Sequence, residues 1–252
     1  MDINQKVILI TGAASGLGAA TARTLAKRGA TVILLDKNLQ AAQSIADEIH
    51  GTAFECDVTS ADSVQDVVNK IVAAHHAIHV VVSCAGVVFG ARVAGKQGAM
   101  PLSDFQRVIN INLAGTFNVM RLCAEKMIAQ QSVNAIGERG IIINTASIAA
   151  FEGQLGQVAY SASKGGVHAM TLPAARELSQ FGVRVMCIAP GVMQTPMMQG
   201  MHESVQQSLS ANIPFPKQLG DPQHFADLAA HIIENSYLNG STIRLDGALR
   251  LS

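Results

Sequence analysis

Short apolar runs alternate with amphipathic stretches along nearly the whole chain, and this alternation limits the fold more than any other feature. VILIT (7–11), TVILLD (31–36), TAFECD (52–57), IHVVVSCAG (78–86), GIIINTAS (140–147), VRVMCIAPG (183–191) and STIRLDG (241–247) read as strands. Helical periodicity fills 16–28, 39–49, 61–75, 103–130 and the stretch that carries Tyr160. Strands alternating with helices form right-handed βαβ units, and so a parallel sheet. The runs VVV and III lack any polar alternation, which predicts that both faces of those strands are covered. Hydrophobic residues make up 49% of the 252, enough for a core of that size. No linker, repeat or low-complexity tract divides the chain, so residues 1–252 are expected to form one domain.

The first strand runs into TGAASGLG, and a helix follows at once. Gly12, Gly16 and Gly18 let the backbone turn tightly and approach a pyrophosphate at the positive end of that helix. Asp36 closes the second strand eighteen residues beyond Gly18, where an acid meets the adenosine ribose hydroxyls. A carboxylate there repels a 2′-phosphate, so the expected cofactor is NAD rather than NADP. Lys37 is the adjacent cation that would favour the phosphate. By itself, Asp36 also reads as an ordinary strand-end turn residue. Together these features predict an α/β fold: a single-domain, Rossmann-type, doubly wound parallel sheet with helices on both faces.

Ser147, Tyr160 and Lys164 form a Ser-x12-Tyr-x3-Lys array. Tyr160 and Lys164 lie four apart in a helical stretch and therefore share one face. Free Tyr titrates near pH ~10, too high for a base at neutrality, and a fixed ammonium nearby favours the phenolate. A hydroxyl acid/base beside a nucleotide site points to redox chemistry at an alcohol or ketone. Taken singly, Ser147 also reads as a strand-end cap and Asn112 as a buried, satisfied amide. The joint spacing is what carries the chemical reading.

Several classes are disfavoured. Net charge is zero, which gives no electrostatic case for nucleic acid or an anionic membrane. Cys56, Cys84, Cys123 and Cys187 form no C-x-x-C pair and no zinc-spaced cluster, so no metal is expected. Unpaired thiols in apolar runs fit a reducing compartment, and no apolar stretch spans a membrane. A cytoplasmic enzyme with a small-molecule substrate is the expectation, without a leader segment, since the first strand begins at residue 7.

TGAASGLG, CDV (56–58), CAG (84–86), Asn112 in NINLAGTF, Ser147, YSASK (160–164) and PG (190–191) with Thr195 occur in one order. In that order the chain resembles the short-chain dehydrogenase/reductase superfamily over essentially its whole length. The longer segments RGIIINTASIAAFEGQLGQVAYSASKGG, MTLPAAREL, IPFPKQLGDP and LNGSTIRLDGA resemble its type-2 3-hydroxyacyl-CoA dehydrogenases, also called type 10 17β-hydroxysteroid dehydrogenases. The resemblance implies a set of roles. Ser15 and Leu17 would line the pyrophosphate turn, and Asp36 the ribose. Asp57 and Val58 would flank the adenine. Cys84 and Gly86 would run along the cofactor, with Pro190 and Thr195 bordering the nicotinamide. Tyr160 would act as acid/base and touch the cofactor. Lys164 would bond the nicotinamide ribose and Ser147 the substrate oxygen. Asn112 would anchor a water chain that restores the proton. One departure stands out: those enzymes have Asn where this chain has Ser83.

The implied reaction oxidises an (S)-3-hydroxyacyl-CoA to the 3-ketoacyl-CoA. A 3-oxoacyl-[acyl-carrier-protein] reductase, a hydroxysteroid dehydrogenase and a non-enzymatic scaffold subunit are the alternatives. Gln154, between Ser147 and Tyr160, is placed to contact substrate. The segment 192–217, rich in Met193, Met197, Met198 and Met201, reads as a substrate lid. Residues 89–101 form a loop longer than a βα connection needs, and Arg92 and Lys96 there suit CoA phosphates or bare solvent. The helices from Ser103 and Tyr160 carry broad apolar faces, part of them core, and the resemblance implies that these helices pair across a two-fold and that the assembly is a homotetramer.

Overall fold

The structure is a computed structural model, and it describes residues 1–96, 98–199 and 210–251. In chain order the strands are β1 (Val7–Thr11), β2 (Thr31–Asp36), β3 (Thr52–Glu55), β4 (Val80–Ser83), β5 (Ala94–Gly95), β6 (Gly98–Ala99), β7 (Gly140–Thr145), β8 (Val183–Pro190) and β9 (Thr242–Leu245). Seven of them form one sheet in the order β3-β2-β1-β4-β7-β8-β9. Every pairing in it is parallel. Strand order reverses between β1 and β4, and such a switch point opens a crevice beyond the strands' carboxyl ends.

The helices are α1 (Gly16–Lys27), α2 (Leu39–Ile49), α3 (Ala61–His75), α4 (Leu102–Ile109), α5 (Gly115–Ala129), α6 (Val158–Ser179), α7 (Pro196–Gln199) and α8 (Pro222–Glu234). Alternate residues of each strand face opposite layers. Ile8 and Ile10 of β1 pack with Leu25 of α1, Ala42 of α2, and Phe225 and Ile233 of α8. Leu9 packs with Val68 and Ile71 of α3, Val119 and Met127 of α5, and Ala175 of α6. The sheet is thus covered on both faces, as its unbroken apolar strands predict.

Four local differences from the sequence expectation matter. The helix expected over 103–130 is interrupted by a π-helical turn, Asn110–Ala114. The glycine just beyond it, Gly115, has no room for a side chain: a Cβ there would lie 2.7 Å from Val58 Cγ2. Helix α8 had no counterpart in the sequence expectation, although Asp221 caps it and Pro222 opens it. The long loop at 89–101 folds into the small hairpin β5–β6, and Ala91 N–H donates to the Gly156 carbonyl at its base (2.8 Å). The expected strand 78–86 ends at Ser83, freeing 84–86 for the crevice.

Of the expected lid over 192–217, residues 192–199, which include α7, and 210–217 are described, while 200–209, with Met201, lie outside the described residues. No helix among the described residues is long and apolar enough to cross a membrane, and none of their His, Cys, Asp and Glu side chains cluster in threes suited to a metal. All four cysteines are unpaired.

Candidate active site

The glycine turn follows β1 and packs directly under the end of β4. Gly12 has φ +64°, and a Cβ there would lie 2.7 Å from Ala85 N. Only glycine meets both demands. A Cβ on Gly18 would collide with the Gly12 carbonyl, which keeps α1 tight against the turn. Ser15 stands at the N-cap of α1 but makes no side-chain capping bond, so the first-turn N–H groups, including that of Leu17, keep their donors for another acceptor. A backbone cradle without side chains, ending in free donors, fits a pyrophosphate.

Asp36 is held beside this cradle. Its carboxylate accepts from Ala14 N–H (3.1 Å) in the glycine turn and from Asn38 N–H (3.0 Å). Lys37 turns away and donates to Asp57 (2.9 Å). Asp57 also accepts from the Thr59 hydroxyl and N–H. The Lys37 bond and then the Thr59 hydroxyl hold the Asp57 carboxyl down at about 2. Next to it, Val58 is buried against Gly115.

Cys84 N–H donates to the Thr11 carbonyl (3.1 Å) and Ala85 N–H to the Thr11 hydroxyl (3.2 Å), which extends the β1–β4 pairing past Ser83. The Ser83 hydroxyl itself is buried without a hydrogen-bond partner, as is the side-chain amide oxygen Oδ1 of its register neighbour Asn144. The backbone, not the Ser83 side chain, therefore fixes this strand end. Burial pushes the Cys84 thiol up to about 12, so it stays a protonated space-filler.

Ser147 follows β7 in extended backbone, and its hydroxyl caps the 3-10 turn Ile148–Ala150 by accepting from Ala149 N–H (3.2 Å). Tyr160 and Lys164 lie one turn apart on α6, with Lys164 Nζ 5.9 Å from the Tyr160 ring centre. Burial pushes the Tyr160 phenol up, and the adjacent Ser147 hydroxyl pulls the other way. In the protein alone Lys164 does not hold the phenol down; that expectation concerns the pair with the oxidised nicotinamide bound. The ammonium is instead bonded to the Thr145 carbonyl (2.7 Å), and burial brings it down to about 8.

Asn112 sits in the π turn, fully buried. Its amide accepts from Val87 N–H (2.8 Å) and donates to the Val87 carbonyl (2.9 Å) and the Ser163 hydroxyl (3.1 Å). Ser163 donates in turn to the Tyr160 carbonyl (2.7 Å). A Cβ on Gly86 would stand 3.1 Å from Asn112 Oδ1 and 3.6 Å from Lys164 Nζ. Gly86, Asn112 and Lys164 thus meet at one point, and the side chain of Asn112 is wholly used as a brace. Gln154 lies half-buried in the turn between Ser147 and Tyr160. Pro190 ends β8, and Thr195 closes the far side of the glycine turn, its Cγ2 3.3 Å from a Cβ built on Gly16. Thr145, Ser163 and Thr11 were not singled out from the sequence. Ser163 lies inside YSASK and was within reach of it. Thr145 acts through its carbonyl, which no side-chain pattern reveals.

A doubly wound parallel sheet, a glycine cradle at its switch point and an enclosed Ser-Tyr-Lys group define a dinucleotide-dependent oxidoreductase. The family model for short chain dehydrogenases matches residues 6–206, and the chain belongs to that family. It therefore uses a nicotinamide cofactor. The chain is 50% identical to the 3-hydroxyacyl-CoA dehydrogenase type-2 of Bos taurus, over 97% of this chain and 95% of the relative. It is 36% identical to a 3-oxoacyl-[acyl-carrier-protein] reductase of Thermotoga maritima, over 99% of each. The crystal structure of a 3-hydroxyacyl-CoA dehydrogenase type-2 from Mycobacterium avium superposes with TM-score 0.91 at 40% identity, covering 98% of this chain and 96% of that one.

Proposed function

We propose that the protein interconverts (S)-3-hydroxyacyl-CoA and 3-ketoacyl-CoA thioesters with NAD as the hydride carrier. The observation that carries this reading is the enclosed Ser147–Tyr160–Lys164 group, in a chain half-identical end to end to an enzyme of that name. When bound, the nicotinamide accepts or gives up the hydride. The protein's own residues handle the proton. The substrate hydroxyl loses its proton to the Tyr160 oxygen in oxidation and regains one from it in reduction. Ser147 holds the same substrate oxygen, and Gln154 borders it. Lys164 would hold the nicotinamide ribose, and its charge would add to that of the oxidised nicotinamide in favouring the phenolate, which burial alone disfavours. Asn112 braces the strand end carrying Gly86 and the start of the proton-return path.

The choice of NAD rests on charge. Asp36 fronts the ribose position, and the Lys37 ammonium that would attract a 2′-phosphate is committed to Asp57. NADH is expected to bind much more tightly than NADPH, and Asp36→Ala to narrow the gap. Equal affinities of the unaltered protein would overturn the NAD assignment. Asp36 likewise disfavours the acyl-carrier-protein reductase reading. Comparing kcat/KM for acetoacetyl-CoA, an acyl-carrier-protein thioester and a 17-ketosteroid, each with NADH, tests the substrate. The CoA ester is expected to lead, and its failure alongside turnover of another ketone would sink the substrate assignment.

The reading extends to assembly and location. Phe117 on α5 and Leu172 on α6 are 51% and 44% exposed, which supports pairing of these helices with a second copy and a homotetramer overall. Light scattering that finds only monomer at micromolar concentration would refute it. The four unpaired thiols, three of them buried and Cys84 half-buried, support a cytoplasmic setting.

A further inference from the structure

The turn between Ser147 and Tyr160 is held from outside the site chiefly by Arg244 of the last strand, with the more exposed Arg250 farther from the same carboxylate (3.8 Å) and bonded to Asp246 (3.1 Å). Arg244 of β9 donates to both carboxylate oxygens of Glu152, one of them at 3.1 Å. Its Nε donates to Asp246 (2.7 Å) and its Nη2 to the Leu249 carbonyl (3.1 Å). The same guanidinium lies 5.0 Å from the centre of the Phe151 ring. Phe151 in turn packs on His168 of α6 (4.8 Å between ring centres), and His168 bonds the Thr242 hydroxyl of β9 (2.8 Å). Residues 151 and 152 are therefore clamped between the edge strand and the helix that carries Tyr160.

The clamp continues into the site. Ile148, next to Ser147, is buried with Leu249 and Ile213 in a small apolar cluster of its own. Arg244, itself steadied by Asp246, and Leu249 thus grip the segment that starts at Ser147 and leads to Gln154, once by a planar charge fork and once by packing. A guanidinium suits this task because its donors are fixed in one plane and match a carboxylate edge-on. The pair is only partly exposed, 22% for Arg244 and 26% for Glu152, so solvent does not swamp it.

We infer that Arg244 is a positioning residue for the reaction: through Glu152 and Phe151 it sets where Ser147 and Gln154 stand relative to Tyr160. It touches neither cofactor nor reacting atoms. The inference rests on the proposed reading that Ser147 and Gln154 meet the substrate. A displacement of about 1 Å at such a site costs on the order of a hundredfold in rate, which makes a remote clamp measurable.

The test uses the full-length protein with NADH and acetoacetyl-CoA. Arg244→Gln and Glu152→Gln are each expected to lower kcat/KM by roughly ten- to a hundredfold while NADH affinity stays within about twofold of the parent. The double variant is expected to be no worse than the poorer single one, because the two side chains act as one unit. Arg244→Lys, which keeps the charge but loses the fork, is expected to recover part of the loss. Ser147→Ala serves as the control. If Ser147→Ala leaves turnover intact, the reading of the site itself fails. If Ser147→Ala is inactive but both clamp variants turn over normally, the inference fails and the reading stands. Additive losses, or a fall in NADH affinity parallel to that in kcat/KM, also overturn the inference, since they describe a merely structural bridge. Should Arg244→Gln not fold, Glu152→Gln and its response to Arg244→Lys decide.

Discussion

Tyr160 and Lys164 are each pushed toward their neutral forms by burial, the phenol upward and the ammonium down to about 8. The pair is poised for a bound cation rather than preset by itself. Tyr160→Phe removes only the hydroxyl, so turnover is expected to fall by at least about a hundredfold while an NADH titration is nearly unchanged. Retention of a tenth of the activity would remove Tyr160 from the acid/base role. The Lys164 shift has a consequence for stability with a definite sign. Its folded value lies below its ordinary 10.5, so the unfolded chain binds the extra proton between about 8 and 10.5. Stability from this group therefore rises with pH through that window and is missing below it. In thermal melts without cofactor, Lys164→Met is expected to gain most relative to the parent near pH ~7 and least near pH ~10. A gap that does not narrow with pH contradicts the assignment.

At the scale of elements, the π turn at Asn110–Ala114 and the end of β4 form one device. The turn brings Asn112 inward, and its amide takes both backbone groups of Val87. π-Helical turns recur at functional sites because one extra residue per turn re-aims a side chain. Asn112→Ala leaves the Val87 N–H and carbonyl without these partners, and each such group costs about 1–3 kcal/mol when buried. Val87 is half-buried, so water offsets part of this and the expected loss is roughly 1–2 kcal/mol in urea denaturation, with weaker cofactor binding because Gly86 then loses its brace. The sequence marked Asn112 and the helix around it, but not the π turn. Helical periodicity at 3.6 residues is local, whereas the bonds that hold Asn112 in the π turn come from Val87 and Ser163 on other elements. Helix α8 is a different case. Its signals are local, Asp221-Pro222 at the start and then Phe225, Ala229 and Ile232 on the buried face, so the sequence carried it.

Across the whole molecule, the sheet and α8 are joined by a buried ion pair far from the site. Arg184 of β8 bonds Glu138 (2.8 Å), and both are nearly inaccessible. The same guanidinium donates to the carbonyls of Ile232, Ile233, Asn235 and Leu238, where α8 ends. A cation at a helix carboxyl end also opposes the negative end of the dipole. Arg184→Ala removes the donor to those carbonyls and leaves Glu138 with the Met1 ammonium (3.1 Å) and the Asn134 amide (2.8 Å) as its remaining partners. Because Glu138 keeps a second cation, the expected cost is about 2–3 kcal/mol, below the range for a buried charge left with no partner, read as a lower urea midpoint. Loss of less than about 1 kcal/mol would mean the pair behaves like a surface bridge.

What the sequence determined by itself was everything set by neighbours along the chain. The strand and helix order, the glycine turn, the acid at the end of β2 and the helical spacing of Tyr160 and Lys164 all follow from local periodicity and backbone freedom. What only the tertiary structure decided was where the charges go. Lys37 turns to Asp57 across β2 and β3, Lys164 to the carbonyl of Thr145, and Arg244 to Glu152, 92 residues away in the chain. It also left the Ser83 hydroxyl beside Asn144 with no bond to make. The reason is physical: a parallel sheet places residues from distant crossovers side by side, and burial then fixes each polar group's partner by distance rather than by sequence spacing.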